Sequence, residues 1–163
     1  MKIRKAIKKD LENIYPLFLG LVESEEKFSK KAVSFFAELN KRKKTFEKNS
    51  RIELLKDIEN KNSLLFIVEE NNNIIGYVSG NLVDSKNPFY ESKVLGYFKH
   101  MFILKEHQGK GISKKLLDEL EKWFIEKKCK FIYGEVFSTN YAVKVFKKFG
   151  YHPVTYKIWK KLK

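Results

Sequence analysis

Apolar and polar residues alternate with two different periods along this chain, and the switches between them mark its elements. Ile3 to Ile7 reads as a short first strand. Behind it Leu11, Ile14, Leu17, Phe18 and Leu21 recur at helical spacing, and Asp10 suits the N-cap of that helix. Pro16 falls inside it and is expected to kink it. A second helical region covers about Ser29 to Asn60. It carries Val33, Phe36 and Ala37 in one patch and Ile52, Leu55 and Ile58 in another, with a break expected near Asn49 and Ser50.

Leu64 to Glu70, Asn71-Asn72-Asn73 and Ile74 to Val83 then form a hairpin pattern, because asparagine tolerates the left-handed backbone a tight turn demands. Asp84 to Ser92, with Asn87-Pro88, reads as a loop, and Lys93 to Leu104 as a long apolar strand. Ile112, Leu116, Leu117, Leu120, Trp123 and Phe124 give the strongest helical stripe, with Lys115, Asp118, Glu119 and Lys122 facing outward. Lys130 to Phe137 reads as a buried strand, Ala142 to Phe149 as a short helix and His152 to Leu162 as a final strand. Helices grouped around a mixed sheet give an α/β (α+β) class, either α+β or a three-layer α/β/α domain. The 163 residues fit a single domain, 1–163. No apolar run approaches the length of a membrane span, and M-K-I-R-K-A-I-K-K-D lacks the apolar core of a signal peptide. A soluble, cytoplasmic protein without membrane contact is expected.

The chemistry concentrates in Gln108 to Ser113, Q-G-K-G-I-S, between the Tyr97 to Leu104 strand and the helix opening at Ile112. Gly109 and Gly111 let backbone N–H groups approach an anion closely. The helix start adds unpaired N–H groups and the positive end of its dipole. Lys110, Lys114 and Lys115 add charge, so a phosphate-bearing ligand is expected. The dinucleotide pattern G-x-G-x-x-G fails, because its third glycine position is Lys114, and no Walker A spacing occurs.

The chain holds 34 Lys plus Arg against 20 Asp plus Glu, a formal charge of +14, which raises nucleic acid as a partner. Arginine, the residue that reads phosphates and bases bidentately, appears only at Arg4, Arg42 and Arg51. The lysines are spread along the whole chain, so the balance is against nucleic acid and favours an acidic small-molecule or protein substrate. A single cysteine, Cys129, excludes an intramolecular disulfide and a Cys-rich metal site. No metal is expected.

Gln108, two free positions, Gly111, one free position and Ser113 follow the pattern Gln/Arg-x-x-Gly-x-Gly/Ala, with serine in the last small position. This resembles the acetyl-coenzyme A signature of the GNAT superfamily of N-acyltransferases. The hairpin V-E-E-N-N-N-I-I-G-Y-V-S-G looks like that family's second and third strands, and N-Y-A-V-K-V-F-K-K-F-G-Y like its C-terminal segment. The resemblance covers essentially the whole chain. It implies a three-layer domain whose central mixed, mostly antiparallel sheet is splayed between strands 4 and 5. It implies acetyl-CoA as co-substrate, with backbone groups of Met101 and Ile103 pairing with the pantetheine arm. Backbone N–H groups of Gln108, Gly109, Lys110, Gly111, Ile112 and Ser113 would hold the pyrophosphate, and Asn140, Ala142 and Phe146 would line the adenine or thioester end. Apart from the resemblance, Met101, Ile103, Ala142 and Phe146 are ordinary core residues and Asn140 an ordinary helix cap.

Acyl transfer to an amine needs an uncharged nucleophile, oxyanion stabilisation and a route for the proton. The resemblance implies a backbone N–H near Phe102 or Ile103 for the oxyanion. Many members carry a tyrosine proton donor where this chain has Phe146, although Tyr141 and Tyr151 lie nearby. Glu135 and His100 are the candidate bases. Strict alternation puts His100 on one face with Phe98 and Phe102, and Glu135 with Tyr133 and Phe137. The region Phe18 to Asn60 would wall the acceptor site, and its lysines argue against a polycationic acceptor. A peptide N-terminus, a lysine side chain, an amino acid and an amino sugar stay open. A second reading is a non-catalytic module of the same fold that binds acetyl-CoA or nucleic acid. The apolar residues of the final strand offer a surface for a homodimer.

Overall fold

The computed structural model describes residues 1–86 and 88–162. They form two compact units, Met1–Leu21 with Lys44–Glu135, and Val22–Lys43 with Val136–Lys163. Among the described residues no helix is long and apolar enough to cross a membrane.

The first unit is built on a five-stranded sheet in chain order: β1 (Lys2–Lys5), β2 (Ser63–Glu70), β3 (Asn73–Asp84), β4 (Val94–Ile103) and β5 (Ile132–Gly134). The first four pair antiparallel and β5 joins β4 in parallel. The β2–β3 turn has Asn71 and Asn72 at φ 50° and 64°, the paired left-handed conformation that joins two twisted strands in two residues. One sheet face packs on the start of α1 (Leu11–Ala32) and on α3 (Phe46–Glu59), with Ile14, Leu17, Leu54, Leu65, Ile67 and Tyr77 buried between them. The other face carries α4 (Ile112–Glu126), whose Leu116, Leu117, Leu120, Trp123 and Phe124 are buried. The result is helix, sheet, helix: a mixed α/β fold with an open sheet.

Asp10 caps a 3-10 turn, Lys8–Asp10, rather than α1 itself. Its carboxylate accepts from the Ile7 N–H at 2.8 Å and takes both guanidinium nitrogens of Arg4. α1 continues through Pro16, and the break expected near Asn49 and Ser50 lies earlier, before α3. Both polar side chains are satisfied on the helix: Ser50 Oγ donates to the Phe46 carbonyl, and the Asn49 amide to Thr45 Oγ1. They therefore have no reason to end it.

In the second unit the last part of α1 is followed by α2 (Phe36–Leu39), and the C-terminal segment holds α5 (Ala142–Lys148). Phe36 meets Phe137 and Trp159 edge-on, and Thr139 Oγ1 donates to the Phe28 carbonyl at 2.7 Å. The final strand expected over His152 to Leu162 does not form. Val154, Tyr156, Ile158 and Leu162 alternate as a strand's buried face would, yet all are exposed. An alternating pattern needs a neighbouring ladder to become a strand, and among the described residues none pairs with this one.

Candidate functional site

β4 contains one residue more than its partner. The β3–β4 register pairs Ser79 with His100 but Gly80 with Phe98, so Lys99 is the extra residue of a bulge. A Cβ on Gly80 would touch Phe124 of α4, so Phe98, directly opposite Gly80, lies on the α4 face. Phe102 instead pairs with Tyr77 of the α1/α3 core, and His100 stacks edge-on against Phe18 of α1 at 5.7 Å. The shared face expected for Phe98, His100 and Phe102 is thus broken by the bulge, which turns Lys99 and His100 together toward α1 and α3. Two adjacent polar residues inside an apolar run, Lys99-His100, were the sequence signal for it.

The bulge also decides where backbone groups point. β5 accompanies β4 only from Gly96↔Ile132 to Phe98↔Gly134, and beyond Lys99 β4 runs on to Ile103 while β5 has ended. The sheet is splayed there. The Leu104 N–H donates to Ile75 on the β3 side, so alternation turns the N–H groups of Met101 and Ile103 toward the opening and that of Phe102 toward β3. Of the two oxyanion positions expected from sequence, Ile103 faces the opening and Phe102 does not. The Phe102 ring packs under α1, where a Cβ on Gly20 would lie 2.6 Å from it.

The loop after β4 continues this edge. Gly109 and Gly111 take φ 76° and 75°, and a Cβ on either would meet nothing within 4 Å. No side chain caps the first turn of α4, whose N-cap is Gly111. The N-terminal N–H groups of Ile112 and Ser113 and the helix dipole therefore open onto free space beside exposed Lys110, an arrangement suited to a pyrophosphate. Gln108 links loop and strand, because its Nε2 donates to the Ile103 carbonyl at 2.9 Å.

The polar residues beneath β4 were less legible. Lys99 Nζ bonds both oxygens of Asp57 on α3, at 2.8 and 3.0 Å, with Glu53 3.9 Å away. Asp57 is 3% exposed, and burial pushes its carboxyl above the usual range against the pull of Lys99. His100 is half-buried with its Nδ1 inaccessible, and desolvation with the adjacent Lys99 charge lowers it to about 4. Its Nδ1 and the facing Ser79 Oγ have no hydrogen-bond partner among the described residues. His100 is thus neutral at pH 7 and holds a proton poorly. Glu135 follows β5 directly and is exposed at the mouth of the splay.

Asn140, Ala142 and Phe146 belong to the second unit. Asn140, one residue ahead of the α5 N-cap Tyr141, accepts with its Oδ1 from the Ala142 N–H at 2.9 Å, and Phe146 meets Tyr151 edge-on at 5.4 Å. The same unit has a hollow of about 230 Å³ lined by Glu26, Ser29, Lys30, Phe36, Asn40 and Arg42, in which Arg42 already engages Glu26.

Known structures share this fold. A protein of Bacillus halodurans matches with a TM-score of 0.83 at 16% identity, covering 99% of this chain and 100% of that one. An aminoglycoside N-acetyltransferase, AAC(6')-Iy, solved in complex with CoA, matches at 0.73 and 16%, covering 99% and 94%. A predicted acetyltransferase of Clostridium acetobutylicum, solved with acetyl-CoA, matches at 0.74 and 20%, covering 99% and 95%. In sequence, a probable spermine N(1)-acetyltransferase of Bacillus subtilis subsp. natto (strain BEST195) is 39% identical over 57 residues, a stretch that spans 34% of this chain and 38% of that relative. The model of the acetyltransferase (GNAT) family, whose co-substrate is acetyl-CoA, matches residues 28–151, and this chain belongs to that family.

Proposed function

We propose that the chain is an N-acetyltransferase, acting as one domain, that moves the acetyl group of acetyl-CoA to a primary amine by direct attack in a ternary complex. The observation that carries this reading is the outward N–H groups of Met101 and Ile103, followed after the bonded turn at Lys105–Gln108 by the uncapped, glycine-bearing start of α4. Such groups can bind an extended arm as a strand would and its diphosphate at a helix start. The amine nitrogen attacks the thioester carbonyl, a C–N bond forms, the C–S bond breaks and the thiolate departs. The Ile103 N–H is the oxyanion donor in this scheme, and most of the rate comes from holding amine and thioester in contact. Glu135, exposed beside the end of β5, takes the amine proton, directly or through water, whereas His100 packs edge-on against Phe18 and its affinity for a proton is lowered. Phe146 donates no proton, and a thiol is acidic enough to leave as thiolate or to be protonated by water.

The acceptor in this reading is a small cationic amine. The names of the relatives, a probable spermine N(1)-acetyltransferase and an aminoglycoside N-acetyltransferase, support it. On α1 the carboxylates of Glu23 and Glu25 are exposed to such an amine, while Glu26 is held by Arg42. A homodimer built on the exposed C-terminal apolar residues is part of the same proposal, to be read by light scattering. The test is calorimetric titration with acetyl-CoA, followed by thiol release with spermine and an aminoglycoside. Binding that Gly111→Glu abolishes, with thiol release on one of these amines, is the expected result. Absence of acetyl-CoA binding by the wild type overturns the reading. Binding without release on any amine points to the binding module that Phe146 keeps in view.

A further inference from the structure

We propose that Lys99 and Asp57 are positioning residues: their ion pair holds the bulge in β4 and so selects which backbone groups face the opening beside β5. The inference rests on the reading of that edge as the acetyl-CoA edge.

Parity carries the argument. Gly96 and Leu104 are both even-numbered, so a regular strand would aim their N–H groups to the same side. They aim to opposite sides: Gly96 donates to Phe131 before β5, and Leu104 donates to Ile75 of β3. The one residue between them that has no β3 partner is Lys99. Without it, His100 and Phe102 would face the opening and Met101 and Ile103 would be tied to β3. Something must keep the extra residue in place, since a bulge forgoes ladder hydrogen bonds that a slipped, regular register would recover.

The bulge is gripped by Asp57, which takes Lys99 Nζ with both carboxylate oxygens across 42 residues of sequence. This grip fixes the bulge to the rigid α3 helix. Net stability does not account for the pair. Removing two charges from water costs several kcal/mol per ion, and well-packed apolar replacements of such pairs are often neutral or stabilising. Register selection is the use for which buried polar pairs are best attested. Glu53, at 3.9 Å from Lys99, adds a second carboxylate on the same helix.

The test compares wild type, the apolar double variant Lys99→Met with Asp57→Leu, the conservative Lys99→Arg, and Gly111→Val as a loop control. Melting temperature, acetyl-CoA affinity by calorimetry and residue-resolved amide exchange are measured on each. The double variant is expected to melt near wild type but to bind acetyl-CoA at least about tenfold more weakly. Its slow-exchanging amides should move from Phe102 and Leu104 to Met101 and Ile103, while Lys99→Arg keeps the wild-type pattern. A double variant with unchanged affinity and exchange overturns the inference, and so does one that melts far below wild type, because the pair is then merely structural. If instead the wild type fails to bind, or Gly111→Val binds equally well, the acetyl-CoA reading of the edge fails. The exchange pattern still decides whether the pair sets the register.

Discussion

The side-chain amide of Gln108 donates to the carbonyl oxygen of Ile103 at 2.9 Å, tying the glycine loop to the last residue of β4. The bond spans the corner where strand gives way to helix, so its loss should loosen the loop more than the fold. Gln108→Ala is expected to cost about 1 kcal/mol of stability or less. It should weaken acetyl-CoA about tenfold through a misplaced loop. Calorimetric titration beside a urea melt checks this, and equal affinity with the wild type would show that the loop stands without the bond.

Two glycines separate backbone strain from steric conflict. At Gly111 a side chain meets open space, so Gly111→Ala pays only for the left-handed backbone, about 1–2 kcal/mol. Gly111→Asn should recover part of it, because asparagine tolerates that region. At Gly96 a Cβ would sit 2.7–2.9 Å from the Phe124 ring, and the buried ring cannot retreat. Gly96→Ala should therefore lower the urea midpoint more than Gly111→Ala, and a reversed order would contradict this packing.

Local signals were legible in the sequence where the local chain alone decides the outcome. The Asn71-Asn72 turn and the α4 stripe need no distant partner to take their form, and both formed where the pattern put them. The same holds for the two left-handed glycines of the loop. What depends on a partner was less legible. Val154 to Leu162 has the alternation of a strand but finds no ladder, and Lys130 to Phe137 shrinks to Ile132–Gly134 because β4 bulges away at Lys99. Asp57 carried no signal at all, since an acidic residue on a polar helix is ordinary until Lys99 is seen beneath it.

Arg4 joins three elements, bonding Asp10 at 2.7 and 2.9 Å and Glu69 at 2.6 and 3.0 Å. Its guanidinium and the Ile7 N–H hold the Asp10 carboxyl below the usual carboxylate range despite burial. Removing the arginine strands Asp10, which is 7% exposed. Arg4→Met is expected to destabilise by about 2–4 kcal/mol, discounted for the partial exposure of Arg4. Because the folded carboxyl titrates lower than the unfolded one, the stabilisation from Asp10 is present above the unfolded value near 4 and is lost as pH falls through the folded one. The gap between wild type and Arg4→Met in urea melts should thus narrow below about pH 4.

His100 has the opposite charge logic and a different window. The folded imidazole is lowered to about 4, first by burial and then by the charge of Lys99, whereas an unfolded histidine takes its proton near 6.5. Between those values the unfolded chain binds more protons than the folded one, so stability falls as pH drops from about 6.5 toward 4. The slope from this one group is about 1.4 kcal/mol per pH unit, and its total about 3 kcal/mol. His100→Gln removes the titration, while the lost contact with Phe18 shifts stability by the same amount at every pH. Relative to that variant, the wild type should lose stability between pH 7 and pH 4.5. A difference that stays flat over this range would mean that His100 is solvated in solution. The same neutral imidazole predicts that an acidic limb of acetyl transfer above pH 5 survives in His100→Gln, because that limb reports deprotonation of the acceptor amine and not of His100.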